Sequence, residues 1–138
     1  MRRLKMQTVL KWGHHTKCNL LKKIVNYIIL HYYHADINCE SEIDEDVIFA
    51  HNGFGTVIHK DAVIKKGTQI QHHVSIVNNW GGVPSIGQNV FVGCHAILMG
   101  NIQIGDNASI GAGSVVMHDV PPNAVAVGNP AKVVRYKK

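Results

Sequence analysis

The sequence predicts an all-β chain, folded as a parallel β-helix of hexapeptide repeats, with a short N-terminal α-helix. The main observation is an aliphatic residue at six-residue spacing, with a small or β-branched residue four positions after most of them. The aliphatic positions are Ile58, Ile64, Ile70, Ile76, Ile86, Val92, Leu98, Ile104, Ile110 and Val116. Self-similarity at a short period is the signature of a solenoid, whose coils bury their apolar faces by stacking on each other.

Each hexapeptide is expected to form one short strand and one corner. Glycine follows the aliphatic residue at Gly87, Gly93, Gly105 and Gly111, and glycine tolerates the backbone angles that corners need. Three hexapeptides would make one coil, with coils about 4.8 Å apart. The alternative, an antiparallel sandwich, would need regular hairpin turns. One Asn-Gly pair occurs, at Asn52-Gly53, and no hairpin spacing follows it, so the β-helix is preferred.

The first 35 residues follow a helical period instead. Apolar residues recur at Leu20, Leu21, Ile24, Val25, Ile28 and Ile29, which predicts one amphipathic helix from about Cys18 to Tyr33. We expect residues 1–35 to cap the open end of a β-helix domain at 36–138. The alternative is peripheral membrane contact through this helix and Arg2, Arg3, Lys5 and Lys11. Its apolar run is too short to span a membrane, and no signal-peptide cleavage pattern follows.

Composition excludes several function classes. The net charge is +5, and half of the 14 Lys and Arg residues lie near the two ends. Such clusters suit an acidic ligand or a membrane surface, but no aromatic residues interleave with them, so no nucleic-acid partner is expected. Cys18, Cys39 and Cys94 are odd in number and widely spaced, as in a reduced intracellular protein. No metal is expected either, since the adjacent His72 and His73 would point to opposite faces of a strand.

One motif interrupts the repeat, Phe49-Ala50-His51-Asn52-Gly53-Phe54-Gly55. Imidazole titrates near neutrality, so His51 suits a general base that takes a proton from an attacking hydroxyl. From the residues alone, a corner histidine with no proton to move is equally consistent. His59, His73 and His95 lie within regular repeats and are weaker candidates.

Residues from about Asp36 to Arg135 resemble the hexapeptide-repeat acyltransferases, particularly the serine acetyltransferase-like branch. The matching segments are Ala35-Asp36-Ile37, Ala50–Gly55, Gly100-Asn101-Ile102, Ile110–Val116, Val120-Pro121-Pro122 and Gly128–Val134. The resemblance implies a left-handed parallel β-helix, a homotrimer and acetyl-CoA as the donor. It also implies that His51 is the base and Asp36 its carboxylate partner.

The same resemblance suggests a donor site. Positions matching acetyl-CoA contacts are Asn78, Cys94, Gly111 and Ala112, while Lys132 and Arg135 could pair with its phosphates. Small residues at Gly111 and Ala112 would let the pantetheine arm approach the backbone. Simple corner packing explains these two residues equally well.

Two departures from the family pattern bear on the acceptor. Serine acetyltransferases carry an Asp before the catalytic His, where this chain has Ala50, and an Arg-His pair in the loop that reads here as residues 78–84. Without these charged side chains, a zwitterionic acceptor such as serine is disfavoured. The sequence therefore predicts an O-acetyltransferase that resembles those of surface-polysaccharide synthesis. Its sugar hydroxyl would lie against Asn52, Phe54 and Trp80.

Four other interpretations stay open at this point. The acceptor could be serine, the reaction could be N-acetylation of an amino-sugar, or the chain could be a trimeric scaffold without catalysis. Packing at a trimer interface would also explain Phe54 and Trp80. The expected location is the cytoplasm, with the inner face of the membrane as the alternative.

Overall fold

The computed structural model describes residues 5–79 and 81–138. Within these ranges the chain has two α-helices, α1 at Met6–His15 and α2 at Asn19–Tyr32, followed by short strands. The strands are β1 Asp36–Ile37, β2 Glu42–Ile43, β3 Ile48–Phe49, β4 Val57–Ile58, β5 Val63–Ile64, β6 Gln69–Ile70, β7 Ser75–Val77, β8 Ser85–Ile86, β9 Phe91–Val92, β10 Ile97–Met99, β11 Gln103–Ile104, β12 Ser109–Ile110, β13 Val115–Val116, β14 Ala124–Gly128 and β15 Ala131–Tyr136.

The strands form a parallel β-helix, as the repeat predicts. Sheet A stacks β1, β4, β7, β10 and β13, sheet B stacks β2, β5, β8 and β11, and sheet C stacks β3, β6, β9, β12 and β14. From β1 to β13 the described chain makes four turns. The strand β15 is the exception, because it turns back and pairs antiparallel with β14.

The repeat works because its aliphatic residues stack in register inside the coil. In sheet A, Ile58 pairs with Ile76 and Ile76 with Leu98, and all three side chains are at most 3% exposed. The first residue of each two-residue strand points outward and is more exposed. A strand two residues long therefore buries one side chain, and the coil is stable only because its neighbours cover it.

Two insertions break the regular coil, each at a different corner. The buried residues Phe49 and Ile58 are nine positions apart, whereas Ile70 and Ile76 at the same corner one coil later are six apart. This insertion lies at the C-to-A corner, where the chain passes from sheet C to sheet A. The second insertion lengthens the A-to-B corner between β7 and β8, residues 78–84, where Ile76 and Ile86 are ten positions apart.

The N-terminal segment holds two helices where the sequence analysis expected one. The predicted helix is α2, and α1 was missed, although Met6, Val9, Leu10 and Gly13 are buried at helical spacing. At Gly13 an added Cβ would lie 2.5 Å from the Cβ of Cys39 and 2.9 Å from Val25, so the glycine allows α1 to lie close to α2 and the first coil. The buried residues of both helices belong to the same hydrophobic cluster as the β-helix interior.

The outer surface of α2 is apolar. Leu20 is 66% exposed and Tyr27 64%, and Leu21, Ile24 and Ile28 extend the same face. Within the described residues, no helix is both long and apolar enough to cross a membrane. Arg2 and Arg3, proposed for membrane contact, lie outside the described residues, so that contact stays a prediction.

Candidate active site

The three-residue insertion at the C-to-A corner carries His51 out of the regular coil. Ala50–Gly53 form a short turn that is kinked at His51 and Asn52, where φ is 51° and 56°. Both angles lie in the left-handed region that non-glycine residues seldom adopt. His51 and Asn52 are exposed, whereas Gly53 is buried beneath α1, with its hydrogen facing Met6. The turn therefore presents an imidazole at the surface on a short, well-anchored piece of backbone.

The C-to-A corner repeats down the coils, and four residues occupy the same position after their sheet C strands. His51 lies two residues after β3, and His72, Cys94 and Ala112 lie two residues after β6, β9 and β12. Backbone hydrogen bonds join three of these coils, from the His95 N–H to the His72 carbonyl at 3.2 Å and from the Gly113 N–H to the Cys94 carbonyl at 2.9 Å. Above His72 the same pattern reaches Phe54, whose carbonyl accepts from the His73 N–H at 2.9 Å, so His51 joins the row through its ring contact with His72. We call the row His51, His72, Cys94 and Ala112 the corner row.

Next to this row is an open pocket of about 390 Å³, lined by His51, Phe54, His72 and His73. The rings contact each other edge to face: the His51 and His72 centroids are 5.1 Å apart, and those of Phe54 and His73 are 5.2 Å apart. The His73 ring also stacks on His95 at 4.8 Å. The pocket wall therefore consists of aromatic rings, three of which carry titratable nitrogens.

His72 is the electrostatically distinctive member of this wall. Burial lowers its pKa below the ordinary value of 6.5, and the charges that His51, His73 and His95 would carry lower it further. Its Nδ1 atom is buried without a hydrogen-bond partner. A lowered pKa means that His72 is neutral at pH 7, with one ring nitrogen as a donor and the other as an acceptor.

The sequence argument that placed His72 and His73 on opposite faces is wrong. It assumed a strand, but β6 ends at Ile70 and both histidines lie at a corner, where His73 has φ 57°. Their ring centroids are 5.7 Å apart and both line the pocket. The sequence signal that could have found them is the coil register, which aligns His72 with Cys94. Among the described residues, no group of three or more potential ligand side chains is arranged to hold a metal ion.

The predicted dyad of His51 and Asp36 is not hydrogen-bonded among the described residues. Asp36 lies on the exposed side of β1, paired in register with Val57. The left-handed turn directs the His51 ring toward His72 of the next coil. The assignment of Asp36 as the partner of the base therefore stays a prediction.

The predicted donor residues divide between two corners. Cys94 and Ala112 belong to the corner row, and Gly111 precedes Ala112. At Gly111 an added Cβ would lie 2.6 Å from Cγ1 of Val127, so packing within the chain accounts for this glycine. Asn78 follows β7 at the other edge of sheet A, and a single chain does not bring it to His51.

The two predicted phosphate contacts lie on the C-terminal strand. Lys132 pairs across the sheet with Val127, the residue that packs on Gly111, and Arg135 pairs with Val125. Both side chains are exposed. The strand β15 therefore places two cations beyond the last residue of the corner row.

Of the predicted acceptor contacts, Phe54 lines the pocket and Asn52 neighbours the base in the turn. Trp80 lies outside the described residues. The described part of its loop packs on the next coil, where the Asn79 Nδ2 group lies 3.8 Å from the sulfur of Met99. The loop 78–84 contains no Lys or Arg.

The chain is similar to known proteins over most of its length. Residues 84–118 match the family model for the bacterial transferase hexapeptide (six repeats). Serine acetyltransferase 2 of Arabidopsis thaliana is 39% identical over 108 residues, which cover 72% of this chain and 32% of the relative.

Solved structures agree with the sequence comparison. Soybean serine acetyltransferase complexed with serine superposes with a TM-score of 0.81 at 35% identity, covering 94% of this chain and 54% of the other. Serine acetyltransferase from Brucella abortus in complex with coenzyme A gives 0.85 at 27% identity, covering 95% and 55%. The chain spans about a third of the length of the curated relatives it matches. The resemblance to polysaccharide O-acetyltransferases is not supported by these comparisons.

Proposed function

We propose that this protein is an acetyl-CoA-dependent O-acetyltransferase whose acceptor is the hydroxyl of serine. The observation that carries the proposal is His51, which a three-residue insertion lifts out of the coil and exposes beside a pocket. The relatives named serine acetyltransferases favour serine over the sugar that the sequence departures suggested.

The proposed acetyl transfer requires one general base. His51 would take the proton from the serine hydroxyl as its oxygen attacks the thioester carbonyl, and would return that proton to the departing CoA thiolate. No acyl-enzyme is needed. Asp36 would accept a hydrogen bond from the second nitrogen of His51 once substrate is bound, since catalytic hydrogen bonds often tighten only in the complex.

The corner row would line the surface along which acetyl-CoA binds. Coils stack about 4.8 Å apart, so the three steps from His51 to Ala112 cover roughly 14 Å. Along this surface Ala112 is exposed and carries only a methyl group, and Cys94 is partly exposed. The thioester would lie at the His51 end, and Lys132 and Arg135 would face the phosphates at the other end.

We also propose a homotrimer. The loop 78–84 and Asn78 lie at the far edge of sheet A from His51, so they would reach the site from a neighbouring copy. Outward apolar side chains support such contacts, since Ile48 and Phe91 on sheet C are 50% and 39% exposed and Val57 on sheet A is 38% exposed. A cytoplasmic location stays a prediction.

A second candidate is the same transfer to an uncharged hydroxyl, such as that of a sugar. The observation that favours it is the pocket itself, which is lined by one phenyl ring and three imidazoles. Ala50 precedes the base, and the loop 78–84 contributes no cation to bind a carboxylate. A serine acceptor would therefore need cations or donors supplied by other residues.

The test is CoA-thiol release from acetyl-CoA with serine, sugars and nucleotide-sugars, using wild type, His51→Ala and the control His118→Ala. His118 is exposed and follows β13 at the A-to-B corner, outside the corner row. We expect serine-dependent release that falls by about 10²–10⁴-fold in His51→Ala and is retained in His118→Ala. Release with a sugar alone would select the second candidate, and release that survives His51→Ala would overturn the role of His51.

A further inference from the structure

The imidazole of His72 has no role in the chemistry proposed so far, although it is the closest ring neighbour of the base in the pocket. The two ring centroids are 5.1 Å apart, nearly perpendicular at 86°. The buried Nδ1 atom of His72 has no hydrogen-bond partner among the residues that the structure describes. Because His72 lines the pocket and Nδ1 is buried, the nitrogen that would donate to a substrate is Nε2.

The position of His72 along the coils says which substrate atom it would meet. It lies in the corner row between His51 and Cys94. With the base at the first position and the pantetheine arm along Cys94 and Ala112, the second position is where the thioester carbonyl has to lie. This step rests on the proposed function.

We propose that His72 is a catalytic residue whose neutral imidazole donates a hydrogen bond to the thioester oxygen. When the acceptor oxygen bonds to the carbonyl carbon, the π electron pair moves to that oxygen and His51 takes the acceptor proton. His72 keeps its own proton and stabilises the oxyanion. The C–S bond then breaks, the carbonyl re-forms, and the thiolate takes the proton from His51.

A neutral ring is what this role requires. Burial, and then the neighbouring His51, His73 and His95, hold the pKa of His72 below its ordinary value. The neighbours matter because His51 becomes a cation during the step, and a second imidazolium 5.1 Å away would oppose it. A preorganised neutral donor avoids that repulsion and needs no reorganisation as charge develops.

The experiment compares His72→Phe with His72→Gln in the full chain. Phenylalanine keeps an aromatic ring but removes the N–H, whereas glutamine keeps an N–H donor. We expect kcat in His72→Phe to fall by about 10²–10³-fold with little change in the KM for acetyl-CoA, and His72→Gln to retain more of it. His118→Asn is the control, because His118 is an exposed histidine that does not line the pocket.

A second readout does not depend on turnover. The ¹³C carbonyl resonance of acetyl-CoA labelled at that carbon should shift downfield on binding to wild type, and this shift should shrink in His72→Phe. A structural role for the ring would not produce this pattern. Unchanged kcat and an unchanged carbonyl shift in a folded His72→Phe would overturn the role of His72 and leave the proposed function standing. If wild type neither binds acetyl-CoA nor releases CoA, both proposals fail.

Discussion

At the scale of single residues, the turn at His51 combines strain with exposure. His51 and Asn52 both adopt left-handed angles, and a non-glycine residue in that region costs roughly 1–2 kcal/mol. Neither side chain is buried to offset the cost. Strain of this kind persists where the surrounding structure imposes it, and it is concentrated at functional sites. The strained turn therefore supports a functional role for His51, and its predicted partner Asp36 needs a test of its own.

Asp36→Asn tests the predicted partner. If Asp36 orients His51 in the complex, the amide would favour the wrong tautomer and kcat would fall by at least about tenfold, with CoA binding retained. Steady-state kinetics with acetyl-CoA and serine measure this loss. The control is Glu42→Gln, an equivalent change on the exposed side of β2 in sheet B. Equal kcat values for Asp36→Asn and wild type would show that His51 works without this carboxylate.

Two histidines should make stability fall as the pH drops below 6.5. Burial lowers the pKa of His72 and of His14, and for His14 the charge of His15 adds to the effect. Because the unfolded chain then binds protons more tightly, stability falls as pH drops below the ordinary value of 6.5.

Thermal unfolding in this range measures that dependence. Hydrogen bonds from Lys11 and His15 lower the pKa of Glu45 below 4.5, so its contribution is lost only at more acidic pH and does not overlap. The melting temperature should fall on acidification, and less steeply in His72→Gln. A slope unchanged by His72→Gln would mean that this histidine is equally basic in the folded and unfolded chain.

At the scale of elements, two glycines at the same corner differ in what surrounds them. Gly55 has φ 69° and an added Cβ would lie 2.1 Å from Nδ1 of His73, whereas Gly113 has φ 67° and nothing within 4 Å. Gly113→Ala should therefore cost only the backbone strain, about 1–2 kcal/mol. Gly55→Ala should cost about 1–3 kcal/mol more.

Chemical denaturation of both variants gives the difference directly. Because both glycines have nearly the same φ, the backbone term cancels and the remainder reports the contact with His73. Gly55→Ala should also displace the His73 ring and alter the pocket wall, which Gly113→Ala leaves in place. Equal unfolding free energies would mean that the His73 ring moves aside at no cost.

The same corner shows how far the sequence predicts this molecule. Strand positions followed from the six-residue period, because one buried aliphatic side chain per strand is a strong constraint, as at Ile64 and Ile70. The row containing His72 was missed because alternation along a strand was applied to a corner. The helix α1 was missed because its short apolar face makes sense only against the first coil, where Gly13 meets Cys39.

The candidate active site could also be predicted only in part. His51 could be predicted because its motif interrupts a regular pattern, and the structure places it at a pocket. The contacts of that pocket could not be predicted, since they join residues from different coils, such as Phe54 and His73. Sequence spacing gives a corner its place in the coil but not the direction of its side chains.

At the scale of the whole molecule, the outer face of sheet C should be covered by another copy of the chain. Ile48 and Phe91 point outward from β3 and β9 on either side of β6, and both are exposed apolar side chains. We expect sedimentation to give three times the chain mass of 15.2 kDa. Phe91→Glu should shift the protein toward the monomer, because a carboxylate in an apolar interface loses its hydration.

The oligomer prediction also bears on catalysis, because Asn78 and the loop 78–84 lie at the far edge of sheet A from His51. If a neighbouring copy completes the site, Phe91→Glu should lose activity in step with the trimer, and higher protein concentration should restore both. Val63→Glu is the matched control, since it adds the same charge to the outward side of sheet B. A monomeric Phe91→Glu protein with full activity would show that one chain contains the whole site, with the loop residues playing no part in it.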